Sequence, residues 1–331
     1  MDIKNLPKIN LHSHLDGSVD PKTIFELSKK DDIKIPTNSL DSFKEYVKVS
    51  KDCDSLKTYL KKFVYPINVM QTKSNLEKIA YEYVLNLKSD NIKYAEVRFA
   101  PFLHTKNNLS IKEIISSVLK GLKKGYKKTG INVNIIICAM RSMSSKSALE
   151  LFEKAKKFLG YGVVGVDLAG NEQDYPPEIY IDTFKRAKKI GYNITIHAGE
   201  TNNYKNIETA INKLNASRIG HGISAIKNQK TMDLIKEKNI ALEICPTSNV
   251  QTKAIDSYKN HPFYEFYKKG ISVVLNTDNS TVSNTTMNKE YEIMIDTFNL
   301  KKEDLMNIYK NSIKSSFADK NLKNKLLNNL N

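Results

Sequence analysis

A regular beat of short apolar, β-branched runs and amphipathic stretches restricts the fold of this chain most. It sets in near residue 92 and lasts to about 277. Strand-like runs at 93–100 (KYAEVRFA), 132–139 (NVNIIICA), 163–168 (VVGVDL), 193–197 (NITIH), 218–221 (RIGH), 241–245 (ALEIC) and 271–277 (ISVVLNT) alternate with helix-like segments. Those segments fall near 111–128, 145–159, 177–190, 205–213, 228–238 and 261–269. Near-continuous apolar strands separated by helices pair in parallel through right-handed crossovers. An earlier strand, opening at Ile9-Asn10-Leu11, makes eight. Eight βα units in 331 residues predict an α/β fold of the closed (β/α)8 barrel type rather than an open sheet.

The remaining segments decorate that barrel, and the whole of 1–331 reads as a single domain. A helical insertion covers about 15–91, with Asp20 as N-cap and Pro21 at the first helical position of its first helix. Pro36 and Asn38-Ser39 interrupt it, and Leu56, Tyr59, Leu60, Phe63 and Val64 form an apolar stripe whose aromatic residues read first as core and, because the insertion directly follows the first strand, second as a cap over a site. Helices near 286–298, 302–317 and 319–330 occupy the C-terminal region of about 284–331. No apolar run reaches the length of a membrane span, and the N-terminus carries no signal-peptide core. Three widely spaced cysteines, Cys53, Cys138 and Cys245, argue against a disulfide framework and for the cytoplasm.

A net charge of +16 raises nucleic-acid binding, and a catalytically inactive basic binding protein is the alternative from another class. The excess, however, is lysine spread along the chain, in pairs such as 123–124, 127–128, 156–157 and 188–189 that fall on helical outer faces. Neither a nucleic-acid nor a membrane partner is expected.

The chemistry gathers at strand ends. His12 and His14, at i and i+2 on a strand, point to one side at a reach that suits a divalent metal. The fifth strand ends in His197-Ala198-Gly199-Glu200, the sixth in His221, and the eighth runs into Asp278-Asn279. Four of the six histidines thus sit at carboxyl ends of strands, the face where this barrel carries its active sites. His104 and His261 fall in a loop or at a helix start and read as structural. Glu96 and Arg98, on one face of their strand, predict a buried ion pair with each other, and Asp167 similar work. No C-x-x-C arm is present, which excludes the cytidine-type zinc deaminase fold.

Read together, HSHLDGS (12–18), AEVRFAP (95–101), VVGVDLAGNE (163–172), HAGE (197–200), RIGHGI (218–223), CPTSN (245–249) and NTDN (276–279) closely resemble the adenosine deaminase family of the amidohydrolase superfamily. The resemblance implies one catalytic zinc held by His12, His14, His197 and Asp278. It casts Glu200 as the acid that protonates purine N1, and His221 as the group that orients and deprotonates the water. Gly170 is cast as the backbone donor to N3, and Asp16 as the ribose partner. The implied reaction is hydrolytic deamination of adenosine and 2′-deoxyadenosine to inosine and ammonia in purine salvage, by attack of zinc-activated hydroxide at C6. Zinc lowers the pKa of water to about 7, and a protonated carboxylic acid neutralises charge developing on the ring. One position departs from the family pattern: Asn279 stands where well-known members carry a second acid that contacts N7. An amide donates to N7 at any pH, but the change keeps adenine, 5′-methylthioadenosine and N6-methyl-AMP open as substrates. Relatives that resemble adenine deaminases tend to carry Glu in place of Asp16, and the shorter Asp leaves room for ribose. The sequence leaves oligomeric state open.

Overall fold

The computed structural model describes residues 2–50 and 52–328. Its strands are β1 Lys8–His14, β2 Ile92–Phe99, β3 Asn132–Met140, β4 Val163–Ala169, β5 Asn193–Ala198, β6 Arg218–His221, β7 Ala241–Ile244 and β8 Val273–Leu275. All seven neighbouring pairs are parallel, in the order β1 to β8. Where β8 meets β1, the seam is made by Asp278, whose N–H donates to His12 O (2.9 Å) and whose carbonyl accepts from His14 N (2.8 Å). Asn276 Oδ1 accepts from Leu11 N and His12 N. The barrel therefore closes at the residues singled out for chemistry.

The insertion holds α1 Pro21–Lys30, α2 Leu40–Val47, α3 Leu56–Leu60, α4 Val64–Val69 and α5 Lys73–Asn86. Asp20 caps α1 by accepting from Lys22 N, as its position before Pro21 predicts. The crossover helices are α6 Ile111–Thr129, α7 Ser145–Ala155, α8 Ile181–Ile190, α9 Lys205–Asn212 and α10 Gln229–Glu237. Two short helices, α11 Pro246–Gln251 and α12 Phe263–Lys268, join β7 to β8. α13 Met287–Phe298, α14 Lys302–Ser315 and α15 Lys320–Asn328 complete the chain; the last two residues of the helix expected to 330 lie outside the described residues.

Most of the apolar core lies between the strands and this helical ring. A smaller cluster packs Tyr309, Ile313 and Leu326 of α14 and α15 against Ile9, Leu11, Tyr94 and Val274. The eight lysines of the four surface pairs are all exposed, on the outward faces of their helical segments. No described helix is long and apolar enough to cross a membrane.

The barrel interior is charged, and here one expectation is corrected. Glu96 and Arg98 are both fully buried, yet they do not pair with each other. Arg98 reaches Asp167 (2.7 Å) and Glu243 (2.9 Å), while Glu96 pairs with Arg218 (2.6 Å). Residues two apart on a strand share a face, but their partners come from across the barrel.

Candidate metal centre and active site

β1 delivers His12 and His14 to one side, their ring centres 5.5 Å apart. β5 brings His197 to within 4.5 Å of His12, and the end of β6 brings His221 to within 4.9 Å. Potential ligand atoms of His12, His197, His221 and Asp278 lie within 4.8 Å of one another. His14 Nε2 joins from the cavity side, 3.2 Å from His197 Nε2 and 3.4 Å from Asp278 Oδ1. Five side chains thus converge where four were expected as ligands. His221 and Asp278 adopt left-handed backbone conformations, with φ of 62° and 57°. Such strain costs on the order of 1–3 kcal/mol and persists where the surroundings enforce it. At Asp278 the two backbone bonds to β1 do so.

Behind this layer stand buried carboxylates. Glu243 Oε2 lies 2.8 Å from His12 Nδ1, and Asp167 Oδ2 lies 2.9 Å from His197 Nδ1. Glu243 holds a proton on His12 Nδ1 by hydrogen bonding and Asp167 sets its charge beside His197 Nδ1, and both turn an Nε2 lone pair towards the centre, the arrangement that orients imidazoles on a metal. Arg98 bridges both carboxylates. Glu243 also accepts from Arg218 Nε (2.6 Å) and Thr195 Oγ1 (2.9 Å), and Ser248 Oγ donates to Asp278 Oδ2 (2.6 Å). Burial alone would raise Asp278; the histidines around it, His12 first and then His14 and His221, hold it well below the usual carboxylate range. Buried His12 Nε2 makes no hydrogen bond, so an unshared lone pair points into a cluster of two histidines and an anion. That donor set fits a cation.

Glu200 is buried on the same face, with Oε2 3.8 Å from His221 Nε2. Burial pushes its pKa well up, Asp278 and Glu172 push it further, and Arg141 opposes them. Its loop is pinned by Glu172, which accepts the backbone N–H groups of Gly199 (2.6 Å), Glu200 (3.0 Å) and Thr201 (3.2 Å). Burial also raises Asp16, to about 6. Gly170 has φ of 105°, which few side chains tolerate, and so presents bare backbone to the cavity. Asn279 packs over Gly17, where any Cβ would overlap its side chain, and its buried Oδ1 makes no hydrogen bond.

His14, Asp16, Gly170, His197, Glu200, His221, Asp278 and Asn279 line one cavity of about 170 Å³, with His12 just behind its wall. The opposite wall is apolar: Leu56, Tyr59, Leu60, Phe63 and Ile67 from the insertion, with Leu103 and Met140. The predicted stripe therefore caps the site, except for Val64, which is half exposed. Tyr59 Oη, 2.7 Å from Ser283 Oγ, ties α3 to the segment after β8. Cys138 also lines the cavity, and among the described residues the three cysteines are free. Sequence reasoning missed Glu172, Arg141, Glu243, Ser248 and Asn249, and it read His261 as structural although it backs the site through Asn249.

A parallel barrel with a histidine and carboxylate centre at the carboxyl ends of its strands defines a metal-dependent barrel enzyme. Comparison with known proteins narrows this class. The adenosine deaminase family model matches residues 7–331. An adenosine deaminase of Clostridium botulinum is 49% identical over 326 residues, 98% of each chain. Among solved structures, an adenine deaminase from Arthrobacter aurescens superposes with a TM-score of 0.90 at 25% identity, covering 97% of each chain. An N6-mAMP deaminase from Arabidopsis gives 0.87 at 28% identity over 98% of this chain and 97% of that one. The chain belongs to the adenosine deaminase family.

Proposed function

We propose that the enzyme deaminates adenosine and 2′-deoxyadenosine hydrolytically, giving inosine and ammonia, with one zinc ion held by His12, His14, His197 and Asp278. The observation that carries this reading is the convergence of His14, His197, Glu200, His221 and Asp278 on a single cavity, with His12 against the same cluster behind its wall. Three imidazoles and one carboxylate around a hydrolytic site suit zinc, which when bound supplies an acidified water.

The protein's own groups do the rest. Burial pushes the Glu200 pKa well up and so favours its protonated form, from which it gives a proton to purine N1 as C6 becomes tetrahedral. His221 orients the attacking oxygen. With Oδ2 satisfied by Ser248, Asp278 directs Oδ1 at the reacting face. The Gly170 N–H serves N3, the Asn279 amide donates to N7, and Asp16 accepts a ribose hydroxyl.

Among the described residues the cavity wall includes Asp16, Glu200 and Asp278 and no Lys or Arg. A 5′-phosphate would meet acids without a compensating cation, which favours a nucleoside over N6-methyl-AMP. Asp16 favours a nucleoside over adenine. The three free cysteines fit a reducing cytoplasm. Turnover of adenosine, 2′-deoxyadenosine, adenine, AMP and 5′-methylthioadenosine, with and without chelation, tests the reading. Chelator-sensitive preference for the two adenosines is expected, and preference for adenine or AMP would refute it.

A further inference from the structure

Behind His221 runs a line of buried polar groups that the reaction above leaves unused. His221 Nδ1 lies 2.9 Å from Asn249 Nδ2, and Asn249 Oδ1 lies 3.3 Å from His261 Nε2. His261 Nδ1 in turn accepts the backbone N–H of Phe263 at 3.1 Å. None of His221, Asn249 and His261 is more than 3% exposed.

The far end sets the direction of every bond. A backbone N–H can only donate, so His261 Nδ1 carries no proton. Burial pulls the His261 pKa down to about 3, so the ring is neutral and its one proton sits on Nε2. That N–H finds its acceptor in Asn249 Oδ1. The other end of the amide, Nδ2, therefore faces His221 and donates to Nδ1. The ring proton of His221 is left on Nε2, the nitrogen on the Glu200 side of the ring.

We infer that Asn249, itself held by His261, is a positioning residue that fixes His221 as the Nε2–H tautomer, so that His221 donates to the attacking oxygen and does not ligate the metal. A protonated ring nitrogen has no lone pair for a cation. This separates His221 from His12 and His197, whose Nδ1 atoms face carboxylates rather than an amide N–H, and it leaves the fourth ligand position to His14. The tautomer follows from the relay alone; the identity of the attacking oxygen rests on the deaminase reading above.

Two-bond 1H–15N spectra of the histidine-labelled, metal-loaded enzyme read the tautomer directly, with His221 signals assigned by their loss in H221Q. Nδ1 should be unprotonated and Nε2 protonated. In N249D a carboxylate that only accepts faces Nδ1, and the two signals should exchange. kcat should then fall by about tenfold or more, with KM within about threefold and metal content intact. H261E, which offers Asn249 no donor, should behave likewise, whereas H261Q, which returns an N–H to nearly the same place, should restore most of the lost kcat. A proton on His221 Nδ1 in the parent enzyme, or unchanged kcat in N249D and H261E with the tautomer reversed, overturns the inference. If N249D does not fold, the parent spectrum and the H261E and H261Q pair decide. The stated tautomer without adenosine turnover supports the relay and overturns the deaminase reading; adenosine turnover with Nδ1 protonated does the reverse.

Discussion

Glu243→Gln probes the layer that prepares the metal site without touching the cavity. Four buried donors meet this carboxylate: His12 Nδ1 and Arg98 on Oε2, Arg218 Nε and Thr195 Oγ1 on Oε1. Glutamine keeps the shape but sets an NH2 against two of those donors, whichever way the amide turns. Each guanidinium retains another carboxylate, Asp167 for Arg98 and Glu96 for Arg218. The stability loss should therefore fall at or below the about 3–5 kcal/mol of stripping a buried charge of its only partner. Metal affinity suffers in two ways. His12 loses the acceptor that keeps its proton on Nδ1, and the interior loses one of the three carboxylates that outweigh two guanidinia. Losses of this kind weaken metal binding about 10–100-fold, roughly 1.4–2.7 kcal/mol. Chelator competition at constant pH measures the metal affinity, and denaturant unfolding of the metal-free protein measures the stability. The midpoint should fall with the m-value unchanged. Metal affinity within about threefold of the parent would show that Glu243 does not orient His12.

Other substitutions test individual roles. Glu200→Gln should keep metal and fold while losing about 10²–10⁴ in kcat, measured by the adenosine absorbance change; near-normal turnover would mean that N1 is protonated otherwise. Asp16→Ala should raise KM for adenosine more than for adenine, and equal effects would end its ribose role. Glu290, fully buried, accepts from Thr247 N and Thr285 Oγ1, and burial lifts its pKa to about 7. The folded state then holds the Glu290 proton more tightly than the unfolded chain between pH 4.5 and about 7, so its contribution favours folding below that window and is lost as pH rises through it, about 3 kcal/mol in all. Glu290→Gln should flatten the fall of stability across this range in denaturant melts at several pH values; an unchanged slope would assign that fall to other groups.

How much of this was legible in the sequence depends on what each residue must satisfy. The strand beat was legible because strands buried on both faces read as apolar runs. Its last member, 271–277, is paired as a strand only over Val273–Leu275. Asn276 spends its side chain on the N–H groups of β1, and Asp278 turns left-handed. Helix α11 was missed because four of its six residues are polar and three of those four are buried, the inverse of an amphipathic pattern. The groups that line the cavity were readable, since histidines and acids at strand ends are seldom placed there by packing alone. Glu243, inside the apolar run ALEIC, gave no such sign.

The second layer is hidden for a deeper reason. Glu96, Asp167 and Glu243 are each one acid on a different strand, more than 70 residues from the next, and only closure of the barrel gathers them around Arg98 and Arg218. Such barrels ordinarily fill their interiors with branched apolar side chains, and replacing those by ion pairs is at best neutral for stability. What the charged interior secures is protonation state. An apolar filling would leave the Nδ1 atoms of His12 and His197 without acceptors, free to move their protons to the nitrogens that must stay bare. Carboxylates backed by two arginines remain ionised in a site where Glu200, unbacked by a cation at hydrogen-bond distance, is driven the other way. One buried environment thus pulls two acids down and pushes a third up, and the cationic partners decide which: Arg98 and Arg218 against Glu243, His197 and Arg98 against Asp167, and none at hydrogen-bond distance from Glu200.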